Sequence, residues 1–328
     1  MTERDNEFGH ACRANARPVS ACIAVLGLWI AGCGDRSKAS PPTPPAPVEI
    51  VAPRPTSDGL VLVIGSGTPI ADPDRGGPAT AVPYAERTVL FDAGANVLRG
   101  LVAAGRDPTG VEHVFLTHLH SDHVLGLDEM IFGAWTVGRD RPLRVHGPPG
   151  TRTLVERLEA AFAEDRAMRV EGLERASPEG ARVEVQEIEP LDEVQIDEGL
   201  RVRAFPVAHG AFEHAFGYRV EVGDRVVVIS GDTAPSDAVV EACDGCDVLV
   251  HEVYSAAGWR AGPEGWRAYH AAFHTSGEQL GRLAVRARPR RLVLTHVLFF
   301  GQPPDAVLAE VRAGFDGDVI LAEDGGSY

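Results

Sequence analysis

The stretch Val114-Phe115-Leu116-Thr117-His118-Leu119-His120-Ser121-Asp122-His123 limits the possible folds more than any other part of the chain. Its opening residues favour a buried β-strand, and three imidazoles and a carboxylate follow at once. The polar cluster therefore belongs on a loop at the carboxyl end of a strand. His118 and His120, two positions apart, can point to one side and grip one cation, while Asp122 and His123 turn toward a second. Imidazole and carboxylate donors in combination suit zinc. A solvated polar loop is the bland alternative, but such a loop seldom carries His-x-His-x-Asp-His directly behind a buried strand.

Further strand ends follow along the chain. Residues 60–64, 88–91, 143–146, 201–207, 216–222, 225–230, 247–250, 291–294 and 319–322 read as strands, and 96–104, 127–136, 151–163, 277–286 and 304–313 as helices. Gly65-Ser66-Gly67-Thr68-Pro69 reads as a tight turn and lacks the later Lys-Ser/Thr of a phosphate loop. Asp92 either orients the metal loop through hydrogen bonds or caps the helix behind it. Asp232, at the end of strand 225–230, can place one oxygen on each of two cations, or cap the helix near Ser236, a task open to Ser236 itself. Glu252 either orients a catalytic histidine or is structural. His146 reads as a core or surface residue, His214 as surface, and His270 lacks a motif around it. The acidic, weakly patterned segment 164–199 reads as a lid or peripheral β structure that shapes substrate access. Cys243 and Cys246 have no second pair to complete a Cys₄ zinc site, which leaves a disulfide or two buried thiols.

His118-x-His120-x-Asp122-His123, followed by Gly126-Leu127, resembles the signature of the metallo-β-lactamase fold superfamily, and the later segments resemble its ribonuclease Z and arylsulfatase-like branch. The resemblance covers residues 60 to 328. It implies an α/β fold, the αββα four-layer sandwich, with a dinuclear metal site at one edge of the two sheets. It further implies His209 as the third imidazole of the first metal and His296 as the last ligand of the second. The element His274-Thr275-Ser276 would lie beside the metals, where His274 can donate a proton to the leaving oxygen. With Asp232 as the bridge, the expected ligands of two Zn²⁺ ions, replaceable by Mn²⁺ or Fe, are His118, His120, Asp122, His123, His209, Asp232 and His296. Asp122 and His274 are the expected catalytic residues. Two cations about 3.5–4 Å apart can share one hydroxide, since coordination lowers the pKa of water from 15.7 to about 7.

At the N-terminus, Arg13 and Arg17 precede the apolar run 19–31, which suits a secretory signal and is short for a membrane span. It closes with Ile30-Ala31-Gly32-Cys33, which resembles a bacterial lipobox and implies cleavage before Cys33, lipidation of that thiol, and export to the periplasmic side or cell surface. The expected division is a signal peptide over 1–32, a Pro-rich linker over 33–58 and a hydrolase domain over 59–328. The formal charge is −16, and removal of 1–32 leaves it unchanged because Arg4, Arg13 and Arg17 balance Glu3, Asp5 and Glu7. That charge disfavours a polyanionic partner. The expected substrate is a small anionic sulfate or phosphate ester, with nucleic acid not expected, a membrane engaged through lipidated Cys33, and a homodimer allowed. A β-lactam or lactone hydrolase is the alternative enzyme, and a non-catalytic lipid-anchored metal-binding protein the alternative of another class.

Overall fold

In a computed structural model, which describes residues 59–328, the chain forms two seven-stranded sheets. The signal peptide, Cys33 and the Pro-rich linker expected from the sequence lie outside the described residues. In the first sheet, β1 (Leu62–Gly65), β2 (Ala79–Tyr84) and β3 (Arg87–Phe91) run antiparallel, and β4 (Val111–Phe115), β5 (Leu143–Gly147) and β6 (Val183–Glu187) continue it in parallel. The second sheet repeats the plan. Here β7 (Glu193–Asp197), β8 (Leu200–Pro206), β9 (Phe216–Val222) and β10 (Arg225–Ile229) are antiparallel, then β11 (Val248–Tyr254), β12 (Arg291–Leu298) and β13 (Asp318–Leu321) are parallel. A short β14 (Gly326–Ser327) crosses back to pair with β1.

Parallel neighbours require crossovers, and these carry helices. Beside the first sheet are α1 (Val97–Ala103), α2 (Ser121–Val124), α3 (Ala134–Thr136), α4 (Thr151–Ala161) and α5 (Ala163–Glu171). The second half contributes α6 (Asp237–Cys243), α7 (Ala256–Ala261), α8 (Glu264–Phe273), α9 (Gly277–Ala287) and α10 (Pro304–Arg312). Three apolar layers result. Phe91, Phe115, Tyr218, Val250 and Val293 meet between the sheets; Leu90, Val114, Leu101 and Trp135 fill the first outer layer; Leu249, Leu292, Leu280 and Val307 fill the second. Adjacent residues such as Val114 and Phe115, or Leu292 and Val293, point to opposite faces and both are buried, so the strands read as unbroken apolar runs. The α/β sandwich of helix, sheet, sheet and helix is therefore the observed fold.

Several local expectations are corrected. The helix expected over 127–136 is helical throughout, but it winds through a π-helical turn, Glu129–Gly133, before the short α3. That over 151–163 breaks at Phe162 into α4 and α5, so segment 164–199 is part helix and part edge strand. Ser236 occupies the N-cap position of α6, yet its side chain makes no capping bond. Cys243 and Cys246 form a disulfide at the end of α6.

Candidate metal centre

Three strand ends and one bulge bring the polar residues together. Beyond β4 the chain passes Thr117, His118 and His120 and turns into α2, whose first turn holds Asp122 and His123. His209 follows β8, and Asp232 follows β10 through Gly231, whose φ of +60° is one that residues with a side chain rarely adopt. A Cβ at Gly231 would also lie 2.6 Å from the Phe216 carbonyl oxygen. His296 arrives differently, from inside β12. Glu252 pairs with Thr295 and Val253 with Val297, so His296 is an extra residue in the ladder, with φ +46°. This bulge swings its ring toward the centre.

The side chains form two adjoining groups. In the first, His118 Nε2 and His209 Nε2 each lie 3.0 Å from His120 Nδ1. In the second, His296 Nε2 lies 3.2 Å from Asp122 Oδ2, and His123 Nε2 lies 3.6 Å from that same oxygen. Asp232 Oδ2 stands between them, 3.4 Å from His123 Nε2, 3.5 Å from His296 Nε2 and 3.8 Å from His274 Nδ1. All seven residues proposed as ligands converge here, with Asp232, His118, His123, His209 and His296 buried.

The outer ring nitrogens are held by the frame. Asp92 accepts from Thr117 N at 2.8 Å and from Thr117 Oγ1 at 2.9 Å, and its Oδ2 lies 2.8 Å from His123 Nδ1. Thr117 Oγ1 in turn lies 2.9 Å from His118 Nδ1, and the Phe273 carbonyl lies 2.8 Å from His209 Nδ1. Asp92 therefore orients the loop and caps nothing. The N–H groups of Asn96 and Leu98 at the start of α1 go instead to Glu129, each at 3.0 Å. Phe212 packs against His120, and Phe273 against His209, on this side.

The chemistry of the donor set fits a pair of cations. Burial holds His118 and His120 below the usual imidazole range and lowers His209 to about 4, which keeps them neutral with a lone pair to give. Around the carboxylates the balance reverses. Burial disfavours charge on His123, but Asp232 and Asp92 carry its pKa well above the ordinary value. Burial likewise opposes ionisation of Asp232, yet His296 and His123 pull its pKa well down. Without a metal ion, a proton on His123 is the counter-charge to these carboxylates, and its Nε2, aimed inward, is buried without a hydrogen-bond partner. A cation held between these atoms would take the place of that proton and leave the ring neutral to bind it.

Glu252 and His274 sit next to the centre. Glu252 lies within β11 and not beyond a strand end; its Oε1 accepts from Thr275 N at 2.7 Å, and its Oε2 lies 3.4 Å from His274 Nδ1. Both readings of Glu252, structural support and orientation of His274, hold together. Burial alone would lower the pKa of His274, but Glu252 and Asp232 raise it. A cavity of about 730 Å³ opens beside these groups, and His120, Asp122, Asp232, His274 and His296 line its floor. Its outer wall is built by α7, α8 and Phe300, including Trp259, Trp266, Arg267, Tyr269 and His270. Sequence reasoning missed this wall. The aromatic face of 259–273 was the available signal, and segment 164–199, expected to shape access, contributes no lining residue. His146 is buried in the first sheet and His214 is half-buried, both away from the ligand groups.

Comparison with known proteins agrees with this construction. The profile of the Beta-lactamase superfamily domain matches residues 87–297. Ribonuclease Z of Mycobacterium bovis (strain BCG / Pasteur 1173P2) is 32% identical over 240 residues, 72% of this chain and 85% of that protein. Ribonuclease Z of Mycobacterium sp. (strain KMS) is 34% identical over 244 residues, covering 73% and 84%. Among solved structures, the short form of human tRNase Z superposes with a TM-score of 0.63 at 24% identity, over 82% of this chain and 98% of that one. The metallo-beta-lactamase fold protein YhfI from Bacillus subtilis gives 0.63 at 21%, over the same shares. The chain belongs to the beta-lactamase superfamily, and within it to the ribonuclease Z-like, metal-dependent hydrolases.

Proposed function

We propose that the protein hydrolyses a small phosphodiester, with His118, His120, His209 and Asp232 holding one zinc ion and Asp122, His123, Asp232 and His296 a second. When bound, such a pair supplies Lewis acidity and makes water acidic enough to attack at neutral pH. The side chains of the protein do the rest. Asp92 and Thr117 fix the ligand rings, Phe212 and Phe273 pack against His120 and His209, and Glu252 holds His274 facing the cavity. Glu252 and Asp232 favour the protonated ring of His274, and that proton can pass to the leaving oxygen as the ester bond breaks.

The cavity beside the centre carries the choice of substrate size. Its volume of about 730 Å³ lies in the range of small-molecule sites, and Arg267 is its one arginine or lysine among the described residues. With a chain charge of −16, this favours a compact ester over an extended polyanion such as tRNA. Relatives that carry the name ribonuclease Z support phosphorus over sulfur at the scissile centre. The test is a panel of bis(4-nitrophenyl) phosphate, an aryl sulfate, a chromogenic cephalosporin and precursor tRNA with zinc-loaded protein. The phosphodiester should turn over fastest, and His274→Ala should lower its kcat by about a hundredfold while zinc content holds. Faster turnover of the cephalosporin, the sulfate or the tRNA would reverse the assignment. Zinc binding without turnover of any of them would leave a binding protein.

A further inference from the structure

Arg267, the one arginine that lines the cavity among the described residues, differs from its neighbour in the chain. Arg260, on the neighbouring α7, pairs with Glu278, whereas no carboxylate of the described residues pairs with Arg267. Its Nε is buried and has no hydrogen-bond acceptor. Native structures rarely leave such an N–H unmet, and with no carboxylate beside it the guanidinium brings an uncompensated positive charge to the cavity lining. The helix that carries it is fixed in place, because Trp259 Nε1 donates to the Arg267 carbonyl oxygen at 2.9 Å and ties α7 to α8.

The surroundings of this guanidinium narrow the class of acceptor. Trp266 and Tyr269 line the same cavity yet stay 59% and 38% exposed, and Trp259 and Phe300 complete the apolar wall. Exposed rings of this size bury area against a flat partner, and a guanidinium forks onto a carboxylate or phosphate. We infer that Arg267 sets specificity, and that the substrate carries, apart from its scissile ester, a flat ring with an acidic substituent that pairs with this residue. The inference rests on the reading of the centre as a phosphodiester hydrolase and adds a second charge to its substrate.

The experiment compares bis(4-nitrophenyl) phosphate with 4-nitrophenyl 4-carboxyphenyl phosphate on the full, zinc-loaded chain. The carboxylate should raise kcat/KM at least about tenfold, mainly through KM. R267M should bring that ratio close to one, and R267K should keep part of it, with zinc content and circular dichroism showing that both variants fold. A ratio near one in the unaltered protein, or an undiminished ratio in R267M, overturns the inference. A second arm needs no turnover: 4-carboxybenzylphosphonate should quench tryptophan fluorescence at lower concentration than benzylphosphonate, and R267M should abolish the difference. If that preference holds while neither diester is hydrolysed, the phosphodiester reading fails and the role of Arg267 stands. Hydrolysis without preference in either arm removes Arg267 and leaves the reaction.

Discussion

Two groups of buried histidines lie close together in this chain and do different things. His113 and His146 sit on β4 and β5 with ring nitrogens 3.0 Å apart, their planes 3° from parallel, and Phe115 stacked on His146 at 4.3 Å. The pair satisfies part of its own hydrogen bonding and has no place in either group of the metal centre. His118, five residues beyond His113, belongs instead to a cluster whose nitrogens converge and whose neighbours include Asp92, Asp122 and Asp232. Burial is common to both groups, so it marks neither. Carboxylates and inward-facing nitrogens make the difference.

That contrast can be broken most forcefully at its shared carboxylate. Asp232→Ala should release bound zinc and lower hydrolysis by on the order of 10³-fold, while His146→Gln should keep its zinc; metal analysis beside initial rates reads both. Equal zinc loss in the two variants would erase the distinction drawn here. Asp92→Asn sharpens the comparison one layer out, since it weakens the hold on His123 and Thr117 without removing a ligand. Zinc affinity should drop by about ten- to a hundredfold, measured by competition with a chelator.

The smallest effect belongs to the stacked pair. Burial lowers His113 to about 4, with Arg144 and Arg87 adding to the effect, and lowers His146 to about 3. The unfolded chain takes up protons near pH 6.5 that the folded pair refuses, so this contribution is complete above that pH and is lost as pH falls toward 4 and 3. Between pH 6.5 and 4.5 the melting temperature of the unaltered protein should fall by roughly 2–4 °C more than that of His113→Phe. Parallel curves would show that the pair stays neutral for no energetic reason.

The loop from His118 to His123 was legible because its chemistry is local: a buried strand followed at once by ligands. Fold class was legible from strand runs apolar on both faces and from the family signature. His209, Asp232 and His296 needed the resemblance, since a lone histidine or aspartate behind a strand has several ordinary uses. Position within an element was harder. His296 and Glu252 were placed at strand ends and lie inside β12 and β11, because a bulge or a longer ladder leaves little trace in composition. The wall made by Trp259, Trp266, Arg267 and Tyr269 was illegible for another reason. An amphipathic aromatic helix reads alike whether it covers a core or a cavity, and only the placing of α7 and α8, which follow β11 in the chain, beside the metal centre decides which.

The surplus residue in β12 has a bearing on how such a centre can be lost. Removing one position between Thr295 and Val297 would let Glu252 through Tyr254 pair without interruption, relieve the left-handed backbone at His296, and leave Asp122 and Asp232 without that imidazole. A lineage drifting toward a tighter, more regular sheet would thereby retire its own reaction, and a sturdier protein would be what remained.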